Sequence, residues 1–169
     1  KGVVNVICGD TQNVGIPLCE SKIPRLITMI GSTETAQKLI SQSSKTSIKR
    51  YSMECGGNAP FIVCEDADLS QAINLGVALK VGNTGQICVA PNRFLVHASL
   101  MEAFIEGMTK RFAEVKIGFG KENEPEMGPL ANEGSVNKIE AIIKSAVEQG
   151  AELICGGSKP QREGYYFEP

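Results

Sequence analysis

Apolar and polar positions alternate in short blocks along the first third of the chain. Val3–Ile7 is a β-branched run closed by Gly9-Asp10 and predicts a strand. Asn13–Glu20 predicts a short helix, Arg25–Ile30 a second strand, and Thr33–Ser43 a helix that opens after Gly31-Ser32. The Ser/Thr/Lys stretch Ser41–Ser47 then leads into a third strand at Ile48–Met53. Strand, helix, strand, helix is the order of a parallel sheet with helical crossovers, and it predicts an α/β fold.

Two glycines and a proline in Cys55-Gly56-Gly57-Asn58-Ala59-Pro60 stop any helix and mark a hinge, so a boundary is expected between a first domain at 1–56 and a second at 57–169. Beyond it Phe61–Cys64 reads as a buried strand. Asp66 or Asp68 can cap a helix from Leu69 to about Val81, along which Leu69, Ala72, Ile73, Gly76, Val77 and Lys80 keep helical spacing. Arg93–His97 predicts a strand. After it Ser99 caps a helix carrying Leu100, Phe104, Met108, Phe112 and Val115 on one face. Gly118–Pro129 reads as a loop, Glu133–Gln149 as a helix ended by Gly150, and Ala151–Cys155 as a last strand.

Composition adds limits. With 169 residues, 42% of them hydrophobic and 21% charged, the chain has enough material for a sizeable core, and a folded chain of this size hides roughly 70% of its unfolded surface. Aromatic residues make up 5%, which predicts a mainly aliphatic core. Seventeen Lys+Arg against 19 Asp+Glu leave a net charge of −2 with the signs mixed, which argues against a nucleic-acid partner. No apolar run approaches the ~20 residues of a membrane helix, and no signal peptide opens the chain. The start at Lys1, directly before a strand-like run, and the stop at Phe167-Glu168-Pro169 predict a piece of a longer polypeptide.

Six cysteines (Cys8, Cys19, Cys55, Cys64, Cys88, Cys155) are widely and irregularly spaced without a Cys-x-x-Cys, which favours reduced thiols in a cytoplasmic compartment over a disulfide set. A zinc site is not expected, because His97 is the only histidine and no cysteine pair has ligand spacing.

Candidate chemistry gathers at three places. Cys88 lies in the glycine-punctuated segment Gly82–Pro91, where a loop can supply both access to a thiol and backbone N–H groups for an oxyanion; a buried, inert thiol is the alternative. Glu54 stands at a strand end directly before the glycine hinge, where a carboxylate can accept a proton beside a cleft or be an ordinary solvated charge. Gly31-Ser32-Thr33 opens a helix after a strand, a geometry that suits a phosphate or a plain N-cap. Neither a Gly-x-Gly-x-x-Gly nor a P-loop occurs. His97 has no Asp or Asn arranged to orient it as a base for Cys88, and the absence of Gly-x-Ser-x-Gly argues against serine hydrolysis.

Taken together, Gly31-Ser32-Thr33, Met53-Glu54-Cys55-Gly56-Gly57-Asn58-Ala59-Pro60, Asn83-Thr84-Gly85-Gln86-Ile87-Cys88 and Met127-Gly128-Pro129-Leu130 resemble four landmarks of the aldehyde dehydrogenase superfamily, in the same order. The interval between Glu54 and Cys88 is that of the family's general base and nucleophile. The resemblance runs the length of the chain and looks nearest to succinate-semialdehyde dehydrogenases, through Ile48–Glu54 and Asn58–Val63. It implies the end of a Rossmann-type cofactor domain followed by the first part of an α/β catalytic domain. It further implies that Cys88 adds to a small aldehyde, that NAD or NADP accepts hydride, and that Glu54 activates the water that hydrolyses the thioester. Gly31 and Ser32 match the helix end against the cofactor pyrophosphate, and Cys55 and Gly56 match backbone beside the nicotinamide. The parent protein is expected to be a homodimer or homotetramer.

The chain departs from the family pattern at several positions. Met29-Ile30 replaces Phe-Thr before the Gly-Ser, and Cys55 replaces the usual Leu. Val81-Gly82 stands where succinate-semialdehyde enzymes carry Phe-Arg, so the arginine that grips a distal carboxylate is absent. Ala90 takes the place of a second cysteine beyond the nucleophile. The family's upstream oxyanion asparagine and downstream ribose-binding glutamate lie outside this sequence, which predicts little activity for these residues alone. The alternatives are a non-catalytic family piece used for binding or assembly, and an acylating enzyme that passes the thioester to coenzyme A, disfavoured by the retained Glu54.

Overall fold

The computed structural model describes residues 2–120 and 124–169. They form two compact units, Lys1–Gly56 and Gly57–Pro169.

In the first unit, a single π-type turn at Thr11–Gly15 runs into the short helix α1 (Ile16–Glu20). The Asp10 carboxylate opens the turn by accepting the Asn13 N–H, and Pro17 sits in the first turn of α1, where its missing N–H costs nothing. Strand β1 (Leu26–Gly31), helix α2 (Thr33–Ser44) and strand β2 (Arg50–Cys55) then make one β-α-β crossover, with β1 and β2 parallel from Leu26↔Arg50 to Gly31↔Cys55. Ala36 and Ser43 bury one side of α2, and the Ser43 hydroxyl lies 2.6 Å from the Tyr51 hydroxyl of β2. Lys49 is buried just before β2, its ammonium satisfied by the Ser21 carbonyl and the Ser47 hydroxyl.

The second unit repeats the crossover. Strand β3 (Ala59–Val63), helix α3 (Leu69–Val81) and strand β4 (Pro91–Val96) bring β3 and β4 together in parallel, with a register shift at Ala59/Pro60 that leaves Asn92 bulged. Asp68 caps α3 by accepting the Gln71 N–H at 3.0 Å. Helix α4 (Met101–Ala113) packs on α3, and helix α5 (Glu133–Glu148), capped by Asn132, follows. The core holds Val63, Val77, Val81, Phe104, Met108 and Met127. Three phenylalanines stack through it, Phe61 on Phe94 at 5.2 Å and Phe94 on Phe104 at 5.8 Å, so the aliphatic core that composition predicts has an aromatic centre. Gly76 lets α3 approach closely, since a Cβ there would stand 3.1 Å from the Phe94 ring.

Four expectations need correction. Val3–Ile7 is not a strand: no strand lies beside it among the described residues, and Val3, Val4 and Val6 are at least 84% exposed. Ala151–Cys155 lacks a ladder for the same reason, with Leu153 and Ile154 half exposed. A β-branched run becomes a strand only when its N–H and C=O groups find a neighbour. The strand predicted at Ile48–Met53 begins at Arg50, because Ile48 points fully into solvent while Lys49 turns inward. Finally, Ser99 does not cap α4 directly. It belongs to a 3₁₀ turn, Ala98–Leu100, whose cap is His97.

The loop expected at Gly118–Pro129 falls partly outside the described residues. Within them, Ile117 and Met127 form an isolated parallel bridge. Among the described residues no helix is long and apolar enough to cross a membrane.

Candidate active site

In the first unit, the parallel pairing gathers five of the sequence-predicted residues on one edge. Ile30 is opposite Glu54 and Gly31 opposite Cys55, and the Gly56 N–H donates to the Gly31 carbonyl at 3.3 Å. Gly31, Ser32, Glu54, Cys55 and Gly56 therefore lie together at the carboxyl ends of β1 and β2, the side on which open parallel sheets bind ligands. Glu54 and Gly56 are exposed, and Cys55 is half-buried.

Ser32 caps α2. Its hydroxyl accepts the Thr35 N–H at 3.1 Å and its carbonyl accepts the Ala36 N–H at 3.0 Å, which leaves the N–H groups of Thr33 and Glu34 at the open end of the helix. The Glu34 carboxylate is tied back to Lys38 at 2.6 Å, and this hydrogen bond and charge hold it below the usual carboxylate range. Its charge near the helix start is thus partly offset.

In the second unit, Cys88 is exposed and unpaired, and its N–H donates to no acceptor among the described residues. The chain reaches it through a 3₁₀ turn, Gly82–Gly85, in which Asn83 (φ 48°), Thr84 (φ 58°) and Gly85 (φ 69°) are successively left-handed. The Ala90 N–H closes onto the Ile87 carbonyl at 3.0 Å, so the thiol sits inside a turn. Behind it the Cys88 backbone lies against Gly57, and Asn92 donates to Asn58 at 3.0 Å from the next turn of chain. Gly57 escapes sequence reasoning as a partner of Cys88, because glycine at a hinge signals flexibility and not close approach.

The remaining candidates fall elsewhere. His97 Nδ1 lies 2.8 Å from the Ser99 hydroxyl and accepts the Ser99 N–H, which gives the ring a capping task. All six cysteines are unpaired, and burial pushes the Cys19 thiol up. A cavity of about 390 Å³ lies behind the Cys88 loop, lined by Lys80, Phe112, Met127, Leu130, Ile143 and Phe167 among others, with Cys88 outside its lining. Among the described residues no group of three or more His, Cys, Asp or Glu has the arrangement to hold a metal ion.

Comparison with known proteins agrees with this architecture. Residues 1–169 match the aldehyde dehydrogenase family. The chain is 40% identical over 168 residues to an Escherichia coli succinate-semialdehyde dehydrogenase [NADP(+)], covering 99% of this chain and 35% of that protein. Among solved structures, succinate-semialdehyde dehydrogenase from Burkholderia pseudomallei superposes with a TM-score of 0.90 at 39% identity, over 96% of this chain and 34% of that one. Betaine aldehyde dehydrogenase from Staphylococcus aureus, solved in complex with NAD+, gives 0.89 at 30% identity over 96% and 33%. The chain spans about a third of the length of the curated relatives it matches. The mixed α/β fold, its two parallel pairs and the match over every residue lead to one conclusion: the chain belongs to the aldehyde dehydrogenase family.

Proposed function

We propose that this chain contributes the nucleophile and the general base of an NAD(P)+-dependent oxidation of a short aldehyde to a carboxylate. The observation that carries the reading is Cys88 itself, an exposed thiol with an uncommitted N–H, on a loop entered through a left-handed turn. The Cys88 sulfur adds to the aldehyde carbon to form a thiohemiacetal, and the Cys88 N–H stabilises the oxygen that gains negative charge. NAD(P)+, when bound, would supply the hydride acceptor needed for oxidation of this adduct to a thioester. Glu54 then takes a proton from water, whose oxygen attacks the thioester carbon, and the C–S bond breaks to release the carboxylate and the thiolate. Using two covalent steps explains why a thiol and a separate base are both required.

The edge at β1 and β2 fits the cofactor. Open N–H groups at the start of a 12-residue helix, directly after a strand, suit a pyrophosphate at Gly31 and Ser32, and Cys55 and Gly56 would flank the nicotinamide. On this reading residues 1–56 close a cofactor domain and 57–169 open a catalytic one. The six free thiols, four of them exposed, suit a reducing, cytoplasmic setting, and the native-length protein would work as a homodimer or homotetramer.

The test is an assay of the native-length protein with NAD+ and NADP+ across short aldehydes, beside Cys88→Ala and Glu54→Gln. Abolished turnover in Cys88→Ala and an accumulated thioester in Glu54→Gln are expected. Full activity in Cys88→Ala would end the proposal.

A further inference from the structure

We propose that Thr84 and Gln86 are positioning residues for Cys88, acting as a polar clamp that fixes the nucleophile loop to the segment Gly128–Ala131. The inference rests on Cys88 being the nucleophile. Ile87 and Val89, on either side of Cys88, are 43% and 65% exposed and offer little packing to hold its backbone. The constraint has to come from elsewhere.

It comes from the turn before Cys88. Three consecutive left-handed residues are unfavourable when two of them carry side chains, and a β-branched residue such as Thr84 suits that region poorly. Such a conformation persists only where its surroundings over-determine it. Here the Thr84 hydroxyl donates to the Gly128 carbonyl at 3.0 Å and lies 3.4 Å from the Pro129 carbonyl. The Gln86 amide reaches both ways: its nitrogen donates to the Asn83 carbonyl at 3.2 Å, and its oxygen accepts the Ala131 N–H at 3.0 Å. Asn83 returns a bond from its side-chain nitrogen to the Gln86 carbonyl at 3.1 Å.

The far side of the clamp is anchored in turn. Met127 and Leu130 are buried, the Leu130 N–H donates to the Tyr165 carbonyl at 2.8 Å, and Asn132 caps α5. Two side chains thus connect the exposed nucleophile turn to packed structure about 45 residues further along the chain. Removing the Thr84 hydroxyl would let the left-handed turn relax. The Cys88 sulfur and N–H would then drift from the position that the adduct needs, without altering either group.

The experiment compares Thr84→Val, Thr84→Ser and Gln86→Leu with Cys88→Ala in the native-length protein. It reads kcat, KM for NAD+, thermal melting, and amide hydrogen exchange of peptides covering 82–90 and 128–131. Thr84→Val keeps the side-chain shape and loses only the donor. We expect kcat to fall about 10- to 100-fold with KM for NAD+ unchanged, faster exchange confined to those two segments, and recovery of kcat in Thr84→Ser. An unchanged kcat in a folded Thr84→Val protein overturns the proposal, as does loss of fold in Thr84→Val while Gln86→Leu keeps full activity. If Thr84→Val fails to fold, a folded Gln86→Leu with reduced kcat upholds it. Activity in Cys88→Ala would instead remove the nucleophile assignment beneath it, a result separable from a failure of the clamp alone.

Discussion

Gly57 lies so close to the Cys88 backbone that a Cβ on Gly57 would stand 1.8 Å from the Cys88 carbonyl oxygen. That is well inside van der Waals contact, and the opposing atoms are main chain, which cannot rotate away as a flexible side chain can. Gly57→Ala must therefore displace the thiol-bearing turn. A loss of about 100-fold in kcat is expected, the scale of a 1 Å misplacement of a reacting group. Gly56→Ala meets no atom within 4 Å but has φ near +49°, so it adds left-handed strain of about 1–2 kcal/mol, read as a lower melting temperature. An unchanged kcat in Gly57→Ala would show that the close approach is not needed for turnover.

Gly82 offers a test of substrate class. Its backbone (φ −54°, ψ 123°) is open to any residue, and a Cβ there would meet only the Ile87 side-chain tip at 3.9 Å. Gly82→Arg should fold normally. If the position faces the substrate, as the family resemblance implies, the new guanidinium lowers KM for succinate semialdehyde about 10-fold or more relative to an uncharged aldehyde of equal length, as a charge-assisted hydrogen bond worth roughly 1.5–3 kcal/mol predicts. Equal KM changes for both aldehydes would count against that placement.

The elements most legible in the sequence are those whose signals are local. Leu69–Val81 has its Asp68 cap and helical apolar spacing, and the helix follows those bounds. Glu133 begins α5 as its pattern predicts, and the end differs by one residue. Strands are less legible, because the apolar run at Val3–Ile7 carries no information about whether a partner strand lies beside it. The site divides in the same way. Gly82–Pro91 reads as a loop from its glycines. Its left-handed run at Asn83–Gly85 and its ties to Gly128–Ala131 depend on contacts some 45 residues away, which local spacing cannot reveal. The Gly57 approach to Cys88 likewise becomes visible only once β3 and β4 are paired.

Stability in the second unit should follow burial and not surface charge. Phe104 is 5% exposed and stacks on Phe94, so Phe104→Ala should cost about 3–5 kcal/mol through lost transfer energy and an unfilled cavity. In the first unit, Lys38 and Glu34 form a short ion pair whose side chains are 74% and 75% exposed. Lys38→Met should leave stability nearly unchanged, since water and salt screen such a pair. Denaturant melts of both variants check the contrast, and a Lys38 effect as large as that of Phe104 would contradict it.

Lys80 should make stability depend on pH in the alkaline range. Its side chain is half-buried at the cavity behind the Cys88 loop, no ion-pair partner faces it among the described residues, and burial lowers its pKa from 10.5. Below the folded-state pKa both folded and unfolded chains carry the proton, and the folded state bears the cost of a desolvated charge. Between that pKa and 10.5 the unfolded chain binds more protons than the folded one, so this residue's contribution to stability rises with pH. Lys80→Met keeps the length of the apolar stem and removes the charge. The variant should therefore melt higher than the wild type at pH 7, with its advantage shrinking as the pH approaches 10.5. A constant difference across that interval would mean that the lysine is solvated in the folded protein, and a growing one that its charge is stabilised there.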